Sequence, residues 1–100
     1  MDALPGVKYS RLYASKSLSV PMSINVIGQS LDDAKLSVDK YIDDAFMAGL
    51  ETVSVIHGRG AGILKTGLQK MLKANKHVAS LRPGGMGEGG DGVTIVTLKR

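Results

Sequence analysis

Two patterns of apolar residues follow each other in the first half of the sequence. Residues 22–27 alternate apolar and polar side chains, which predicts a short strand, and Gly28 ends it. Apolar residues then recur at intervals of three and four, which predicts an amphipathic helix capped by Ser30 and closed by Gly49. The predicted buried stripe of this helix consists of Leu31, Ala34, Val38, Tyr41, Ile42, Ala45 and Phe46.

The second half of the sequence predicts three more strands and one more helix. Strands are expected at residues 52–56, 78–81 and 93–98, the last of which is strongly β-branched. A helix is expected over residues 62–74, and a glycine-rich loop over residues 83–92. The residues of this helix that are expected to face inward are Leu64, Leu68, Met71 and Leu72.

The order of these elements, β-α-β-α-β-β, predicts an α/β protein of the α+β two-layer sandwich type. A helix between the first two strands favours a parallel, right-handed crossover, whereas the loop between the last two strands is too short for a crossover, so they should be antiparallel if they pair. Both helices should then cover one face of a four-stranded mixed sheet. We expect one domain at residues 22–100, preceded by a basic linker or arm at residues 1–21.

Composition narrows the classes of function. The 100 residues include no cysteine and two histidines, which excludes disulfides and argues against a zinc site built by the protein. A core of this size also argues against a large internal cofactor cavity. No apolar run approaches the length of a membrane span, and the first residues lack the apolar stretch of a signal peptide. These features predict a cytoplasmic protein without a resident organic cofactor or a membrane partner.

Charge is distributed unevenly along the chain. Residues 32–51 contain six acidic side chains and two lysines, whereas residues 52–87 contain six basic side chains and no acidic one. Two solvated helix faces of opposite sign would explain this pattern, and so would a basic surface that binds a polyanion. The basic residues of the second segment are Arg59, Lys65, Lys70, Lys73, Lys76 and Arg82.

A glycine-rich turn at the head of the basic segment favours binding. His57 ends a strand and is followed by Gly58, Arg59, Gly60 and Gly62. Glycine allows close approach of a ligand to the backbone, and the start of a helix presents unpaired amides to an anion. The spacing matches neither the dinucleotide-binding fingerprint nor a P-loop, so a phosphodiester backbone is the expected ligand.

The expected site has several named parts. His57 could serve as a general acid or base, because the imidazole pKa lies near neutrality. A purely structural role, in which its side chain hydrogen-bonds the backbone of the turn, would equally account for a histidine at this position. Arg59, Lys65 and Arg82 are candidate cations for nucleic acid, and the amides of Gly58, Gly60 and Gly62 are candidate phosphate donors. Glu88 and Asp91 in the later glycine-rich loop are candidate ligands for Mg²⁺ or Mn²⁺, although solvated loop acids would explain them as well.

Two runs carry a resemblance to a known family. The first is Ile56-His57-Gly58-Arg59-Gly60-Ala61-Gly62, and the second is Glu88-Gly89-Gly90-Asp91-Gly92-Val93-Thr94-Ile95-Val96. They follow a first strand that ends in Gly28 and a helix that reads Leu31-x-x-Ala34 and Tyr41-Ile42-Asp43-Asp44-Ala45. From about residue 24 to residue 98, the chain resembles the small MutS-related (Smr) domain. Members of that family resemble the C-terminal domain of translation initiation factor three in fold.

The resemblance implies nucleic-acid binding and, for many members, nicking of DNA or cleavage of RNA. It also implies a place beside the N-terminal ATPase portion of a type-two MutS protein, with roles in suppressing recombination or in rescuing ribosomes. The expected partners are therefore DNA or RNA, the ribosome and the ATPase portion. An endonuclease that uses His57, with or without a divalent metal, is the first interpretation.

One departure from the family pattern supports an alternative. The family's first motif usually carries an aspartate and a basic residue, and this chain has Asn25 and Ile27 at those positions. An amide cannot take a proton from water, although Asn25 can hydrogen-bond a phosphate or orient His57 in a catalytic site. The alternative is a DNA-, RNA- or ribosome-binding module that does not cleave. A domain whose basic helix meets an acidic protein is a third interpretation.

Overall fold

The computed structural model describes residues 20–60 and 62–99. Its elements are β1 (Ser23–Asn25), α1 (Leu31–Met47), β2 (Thr52–Ile56), α2 (Ile63–Lys73), β3 (Val78–Pro83), a 3-10 turn (Gly90–Gly92) and β4 (Val93–Leu98). The predicted order of strands and helices is confirmed. Most of the arm predicted at residues 1–21 lies outside the described residues.

The four strands form one mixed sheet in the order β1-β2-β4-β3. β1 and β2 are parallel, with Asn25 opposite Ile56, and β4 runs antiparallel to both β2 and β3. Because Ile56 also pairs with Val93, the carboxyl ends of β1 and β2 meet the amino end of β4 at one edge of the sheet. His57 follows β2 at this edge, where α/β sheets usually bind ligands.

The two helices pack against each other on the sheet, and the core lies between these layers. In β2, Val53 and Val55 point toward the helices and are 1% and 0% exposed, whereas Thr52 on the alternate face is exposed. Leu68 and Leu72 of α2 are fully buried against this face. The opposite face of the sheet carries no helix among the described residues.

Helix α1 begins and ends as the sequence predicts. The Ser30 side chain accepts a hydrogen bond from the Asp33 amide at 3.1 Å, and Gly49 follows the last turn with φ of +83°. Five of the seven predicted stripe residues are buried, and Leu31 and Phe46 at its two ends are only partly buried. Leu64 and Met71, predicted to face inward on α2, are likewise partly buried.

Strand β1 is shorter than predicted because Asn25 redirects the chain. Its Oδ1 accepts the Ile27 amide at 2.9 Å, which closes a turn immediately after the strand. Strand β3 is longer than predicted and continues to Pro83, opposite Thr94 of β4. Proline is tolerated there because β3 lies at the edge of the sheet.

The end of the predicted arm is attached to the helical layer. Val20 packs against the core, and the Tyr41 hydroxyl of α1 donates to the Pro21 carbonyl. Burial raises the pKa of Tyr41 to about 12, since the phenolate would lose its hydration. Within the described residues, no helix is long and apolar enough to cross a membrane.

Candidate functional site

The glycine turn joins β2 to α2 and adopts backbone angles that favour glycine. Gly58 has φ of +81° and Gly62, the N-cap of α2, has φ of +84°. No side chain among the described residues caps this helix start, so the amides of Ile63, Leu64 and Lys65 have no side-chain acceptor. The start of α2 therefore presents unpaired donors and the positive end of the helix dipole to solvent.

A depression of about 460 Å³ lies between this helix start and the turn after β1, and we call it the turn depression. It brings together six residues predicted to belong to the site, namely His57, Gly58, Arg59, Gly60, Gly62 and Lys65. Two apolar side chains at its rim, Ile27 and Ile63, are 58% and 66% exposed. The amides and basic side chains of the turn depression therefore lie next to exposed apolar side chains.

His57 lies at the base of the turn and is only 4% exposed. Its Nδ1 lies 2.9 Å from the Gly58 carbonyl oxygen, which can only accept, so Nδ1 carries a proton. Its Nε2 lies 2.9 Å from the Thr94 hydroxyl, and the Gln69 side-chain amide donates to that same hydroxyl at 3.0 Å. In the neutral imidazole, the Thr94 hydroxyl therefore donates to Nε2.

This network connects three elements and leaves neither ring nitrogen free. Gln69 lies on α2, Thr94 on β4 and His57 after β2. To act as an acid or base, His57 has to exchange one of these hydrogen bonds for one to the substrate. The observed geometry is that of a side chain that holds the turn against the sheet, and the catalytic role of His57 stays a prediction.

The two glycine-rich runs are joined through their backbones. The amides of His57 and Gly58 both donate to the Gly92 carbonyl oxygen, at 3.0 Å and 2.9 Å. The Gly58 amide is therefore occupied within the protein and is not available as a phosphate donor in this arrangement. The amides of Gly60 and Gly62 and those at the start of α2 have no acceptor among the described residues and remain the open donors.

Arg59 is exposed and lies over the 3-10 turn before β4. A Cβ at Gly90 would lie 2.8 Å from its Nη2, and Gly90 has φ of +58°. Glycine at position 90 thus leaves space for the guanidinium. The glycine-rich run at residues 88–96 thereby helps to position the Arg59 side chain.

Arg82 and Glu88 are paired with each other. Arg82 Nη1 and Nη2 donate to the two carboxylate oxygens of Glu88 at 2.8 Å and 2.9 Å, and the Gly85 amide donates to Oε1 at 2.7 Å. The hydrogen bonds from Arg82 and from the Gly85 amide lower the pKa of Glu88 to about 2. The sequence predicts Arg82 as a contact to nucleic acid and Glu88 as a metal ligand, and the structure pairs the two side chains with each other.

The predicted metal ligands do not fit a site for Mg²⁺ or Mn²⁺. The Glu88 carboxylate is engaged by Arg82, and Asp91 is exposed. Across residues 20–60 and 62–99, no group of three or more histidine or acidic side chains is placed to hold an ion. We therefore assign no catalytic step to a metal bound by these residues.

The structure does not bring Asn25 to the catalytic position predicted for it. Its side chain is exposed and folds back onto the Ile27 amide, and it does not line the turn depression. Ile27 lies there instead and covers Gly58, since a Cβ at Gly58 would be 3.3 Å from its side chain. The position after β1 therefore contributes apolar surface to the site.

Sequence reasoning missed Thr94 and Gln69. Thr94 is 1% exposed and points toward the helices between buried neighbours on β4. Thr94 shares one face of the strand with Val96 and Leu98, and a polar residue on an otherwise apolar face is a signal that could have identified it, because a buried hydroxyl needs a partner. Gln69 had no comparable signal, since a glutamine on a helix is ordinarily a surface residue.

A second concavity lies on the sheet face without helices, and we call it the sheet groove. It measures about 750 Å³ and is lined in part by Ser54, Ile56 and Ile95, with Arg59 and Glu88 at its border. Arg59 lines both concavities and so stands where they meet. The sequence did not reveal this groove because both faces of β4 are apolar, as in a strand that is covered on both sides.

The class of protein is that of small two-layer α+β domains in which a glycine turn joins a strand end to an uncapped helix start. The model of one family, the Smr domain, matches residues 24–99. The chain belongs to the Smr domain family.

Similar proteins are found among sequences and among solved structures. The chain is 57% identical to endonuclease MutS2 of Caldanaerobacter subterraneus subsp. tengcongensis over 90 residues, which are 90% of this chain. It is 56% identical to endonuclease MutS2 of Clostridioides difficile over 85 residues, which are 85% of this chain. It spans 11% of the length of each of these relatives. The crystal structure of the Smr domain of Thermus thermophilus MutS2 matches with a TM-score of 0.77 and 34% identity, covering 80% of this chain and 100% of that one.

A stand-alone member of the family has the same fold. YdaL, a small MutS-related protein from Escherichia coli, matches with a TM-score of 0.75 and 25% identity, covering 79% of this chain and 65% of its own. The predicted two-layer sandwich is therefore confirmed by solved structures as well as by the topology described above.

Proposed function

We propose that this chain binds the sugar-phosphate backbone of DNA or RNA at the turn depression. The observation that carries the proposal is the convergence there of open amides at the start of α2 with Arg59 and Lys65. Helix starts favour anions, and arginine binds phosphate with two parallel donors. Among the described residues that line the depression there is no Phe, Tyr or Trp, and His57 is buried, which agrees with contact to the backbone rather than to stacked bases.

We propose in addition that the domain serves a larger MutS-type ATPase. The support is that its relatives named endonuclease MutS2 are about nine times as long as the matched segment. In such a protein the domain would bring the ATPase to nucleic acid, in recombination or on the ribosome.

Strand cleavage is the activity that the names of these relatives suggest. In this geometry, the open amides of α2 and Arg59 would stabilise the charge that develops on the phosphate in the transition state. His57 would act as the acid or base after releasing Thr94. RNA would be the easier substrate without a metal, because its 2′-hydroxyl supplies a nucleophile within the strand.

Two observations favour a binding module that does not cleave. Asn25 replaces the expected carboxylate and is turned away from the depression, and His57 is buried with both ring nitrogens bonded. Under this second candidate function the same surface binds nucleic acid, and no bond is broken.

A nicking assay with matched histidine variants separates the two functions. Supercoiled plasmid and single-stranded RNA are incubated with Mg²⁺, Mn²⁺ or chelator, and binding is measured on the same substrates. His57→Ala is compared with His77→Ala, which removes the other imidazole, beyond the far end of α2. Circular dichroism confirms that each variant is folded.

The outcomes of this assay are distinct. Cleavage that is lost in His57→Ala and kept in His77→Ala supports the nuclease, whereas binding without cleavage supports the module. If the wild-type domain binds neither substrate at low salt, the proposal of a nucleic-acid-binding surface is wrong.

A further inference from the structure

Three donors converge on the carboxylate of Glu88. Arg82 supplies two parallel N–H groups and Gly85 supplies its backbone amide, at distances between 2.7 Å and 2.9 Å. A planar guanidinium beside a backbone amide also matches two oxygens of a phosphate group. The donor set is therefore an anion site, and its occupant in the free domain is a side chain of the same chain.

This anion site lies on the sheet face that carries the groove. Arg82 pairs with Ile95, which lines the sheet groove, whereas its neighbour Leu81 packs into the core on the helical side. Glu88 and Arg59 both line the groove. A strand that extends from the turn depression into the sheet groove therefore enters the surface that Glu88 lines.

We propose that Arg82 and the Gly85 amide form a second phosphate-binding position for the nucleic-acid strand, which Glu88 occupies in the free domain and gives up to a backbone phosphate. This inference rests on the proposed function, since it extends the same surface. Glu88 then acts as an internal competitor that lowers affinity and limits how far along the sheet groove a strand is held.

The exchange requires little rearrangement. Both side chains are exposed, and exposed ion pairs contribute little net stability because water solvates the separated charges well. The loop has its own backbone hydrogen bonds, from Gly84 to Val93 and from Glu88 to Gly85, both at 2.9 Å. Rotation of the Glu88 side chain therefore opens the site while the loop keeps its fold.

The ionisation of Glu88 makes the competition effective at neutral pH. A glutamate with the ordinary pKa of 4.5 is already charged there, and Arg82 and the Gly85 amide lower the pKa further, to about 2. A released carboxylate keeps its charge and repels a nearby phosphate. The repulsion is lost and the contact with Arg82 is weakened when the carboxylate is replaced by an amide.

Asp91 provides a matched control for Glu88. It lies in the same glycine-rich loop and is exposed, and no described side chain donates to it. Glu88→Gln and Asp91→Asn each remove one negative charge from this loop, so both change the general electrostatic field alike. Only Glu88→Gln weakens the bidentate contact with Arg82.

The test measures affinity for a fluorescent single-stranded oligonucleotide and for a duplex, at several salt concentrations. We expect Glu88→Gln to bind several-fold more tightly than Asp91→Asn, with a salt slope steeper by about 0.9 for the added phosphate contact. Arg82→Ala should cancel this gain when it is combined with Glu88→Gln. Inorganic phosphate should compete poorly, because the site needs a strand already held in the turn depression.

Each failure has its own meaning. Equal gains in Glu88→Gln and Asp91→Asn, or a gain that survives Arg82→Ala, would overturn this inference and leave the proposed function standing. Competition by inorganic phosphate at concentrations similar to that of the oligonucleotide would show an isolated anion site and would also overturn it. Loss of all binding in the wild type and both variants would overturn the proposed function itself.

Discussion

His57 illustrates how a single side chain can fit two roles. The sequence places a histidine at a strand end beside glycines, which suits catalysis, and the structure surrounds it with partners for both ring nitrogens. A buried network of this kind stabilises the fold only while each member is satisfied. No buried side-chain nitrogen or oxygen in the described residues lacks a hydrogen-bond partner.

Removal of the Thr94 hydroxyl should therefore be costly. Thr94→Val keeps the shape of the side chain and leaves Nε2 of His57 buried without a donor, so we expect the free energy of unfolding to fall by about 1–3 kcal/mol. Thr97→Val is the control, because Thr97 is exposed on the same strand and should change stability by less than about 0.5 kcal/mol. Urea denaturation measures both, and equal effects would contradict the role of the network.

The lowered pKa of the Glu88 carboxylate predicts that the free energy of unfolding depends on pH. Its pKa in the folded state, about 2, is below the ordinary value of 4.5, so its contribution is fully present above pH 4.5 and is lost as the pH falls toward 2. We expect the difference in unfolding free energy between wild type and Glu88→Gln to shrink over that interval. Denaturation at a series of pH values tests this, and a difference that stays constant between pH 4.5 and pH 2 would contradict it.

At the scale of elements, the contact between the helices depends on a glycine within α2. A Cβ at Gly67 would lie 2.6 Å and 2.8 Å from the two methyl groups of Leu31, at the start of α1. Leu31 thus packs directly on the backbone of α2. The angle and spacing of the helix start that carries the open donors depend in part on this contact.

Gly67→Ala tests that dependence. Alanine favours a helix by about 1 kcal/mol over glycine, but the methyl groups of Leu31 would have to shift to admit its Cβ, so we expect Gly67→Ala to gain less stability than helix propensity alone supplies. Thr66→Ala, an exposed neighbour on the same helix, should stabilise slightly through helix propensity alone. In a double-mutant cycle by thermal or urea denaturation, Leu31→Ala should relieve the cost, and simple additivity would count against the contact.

The elements themselves were largely predictable, because periodicity, caps and β-branching are local properties. Strand β4 has the predicted bounds, and Ser30 caps α1 as expected. What could not be predicted depends on side chains that meet across the fold. The sequence shows the charges of Arg82 and Glu88 but not that the loop folds them onto each other, and it shows a threonine in β4 but not its contact with Gln69.

The whole molecule separates its charges between its two helices. Acidic side chains line α1, while α2 and the glycine turn are basic, so a polyanion approaches the side that carries the open helix start. The cations beside that helix start, Arg59 and Lys65, should therefore supply most of the salt-dependent part of the affinity.

The salt dependence of binding measures how many phosphate contacts these cations make. Arg59→Ala should lower the magnitude of the salt slope by about 1, because one phosphate contact is lost. Lys76→Ala, which removes a cation beyond the far end of α2, should leave the slope nearly unchanged. Equal changes in both variants would mean that net charge, and not the turn depression, determines binding to nucleic acid.

The Gly92 carbonyl oxygen accepts hydrogen bonds from the His57 and Gly58 amides, and these bonds connect the glycine turn to the residue before β4. Because they are backbone bonds, side-chain substitutions leave them in place. Deuterium uptake would reveal them: the amides of His57 and Gly58 should exchange as slowly as the central strands, and those of Ile63 and Leu64 quickly. Protection that appears at Ile63 and Leu64 when an oligonucleotide is added would locate the bound strand without altering a single residue.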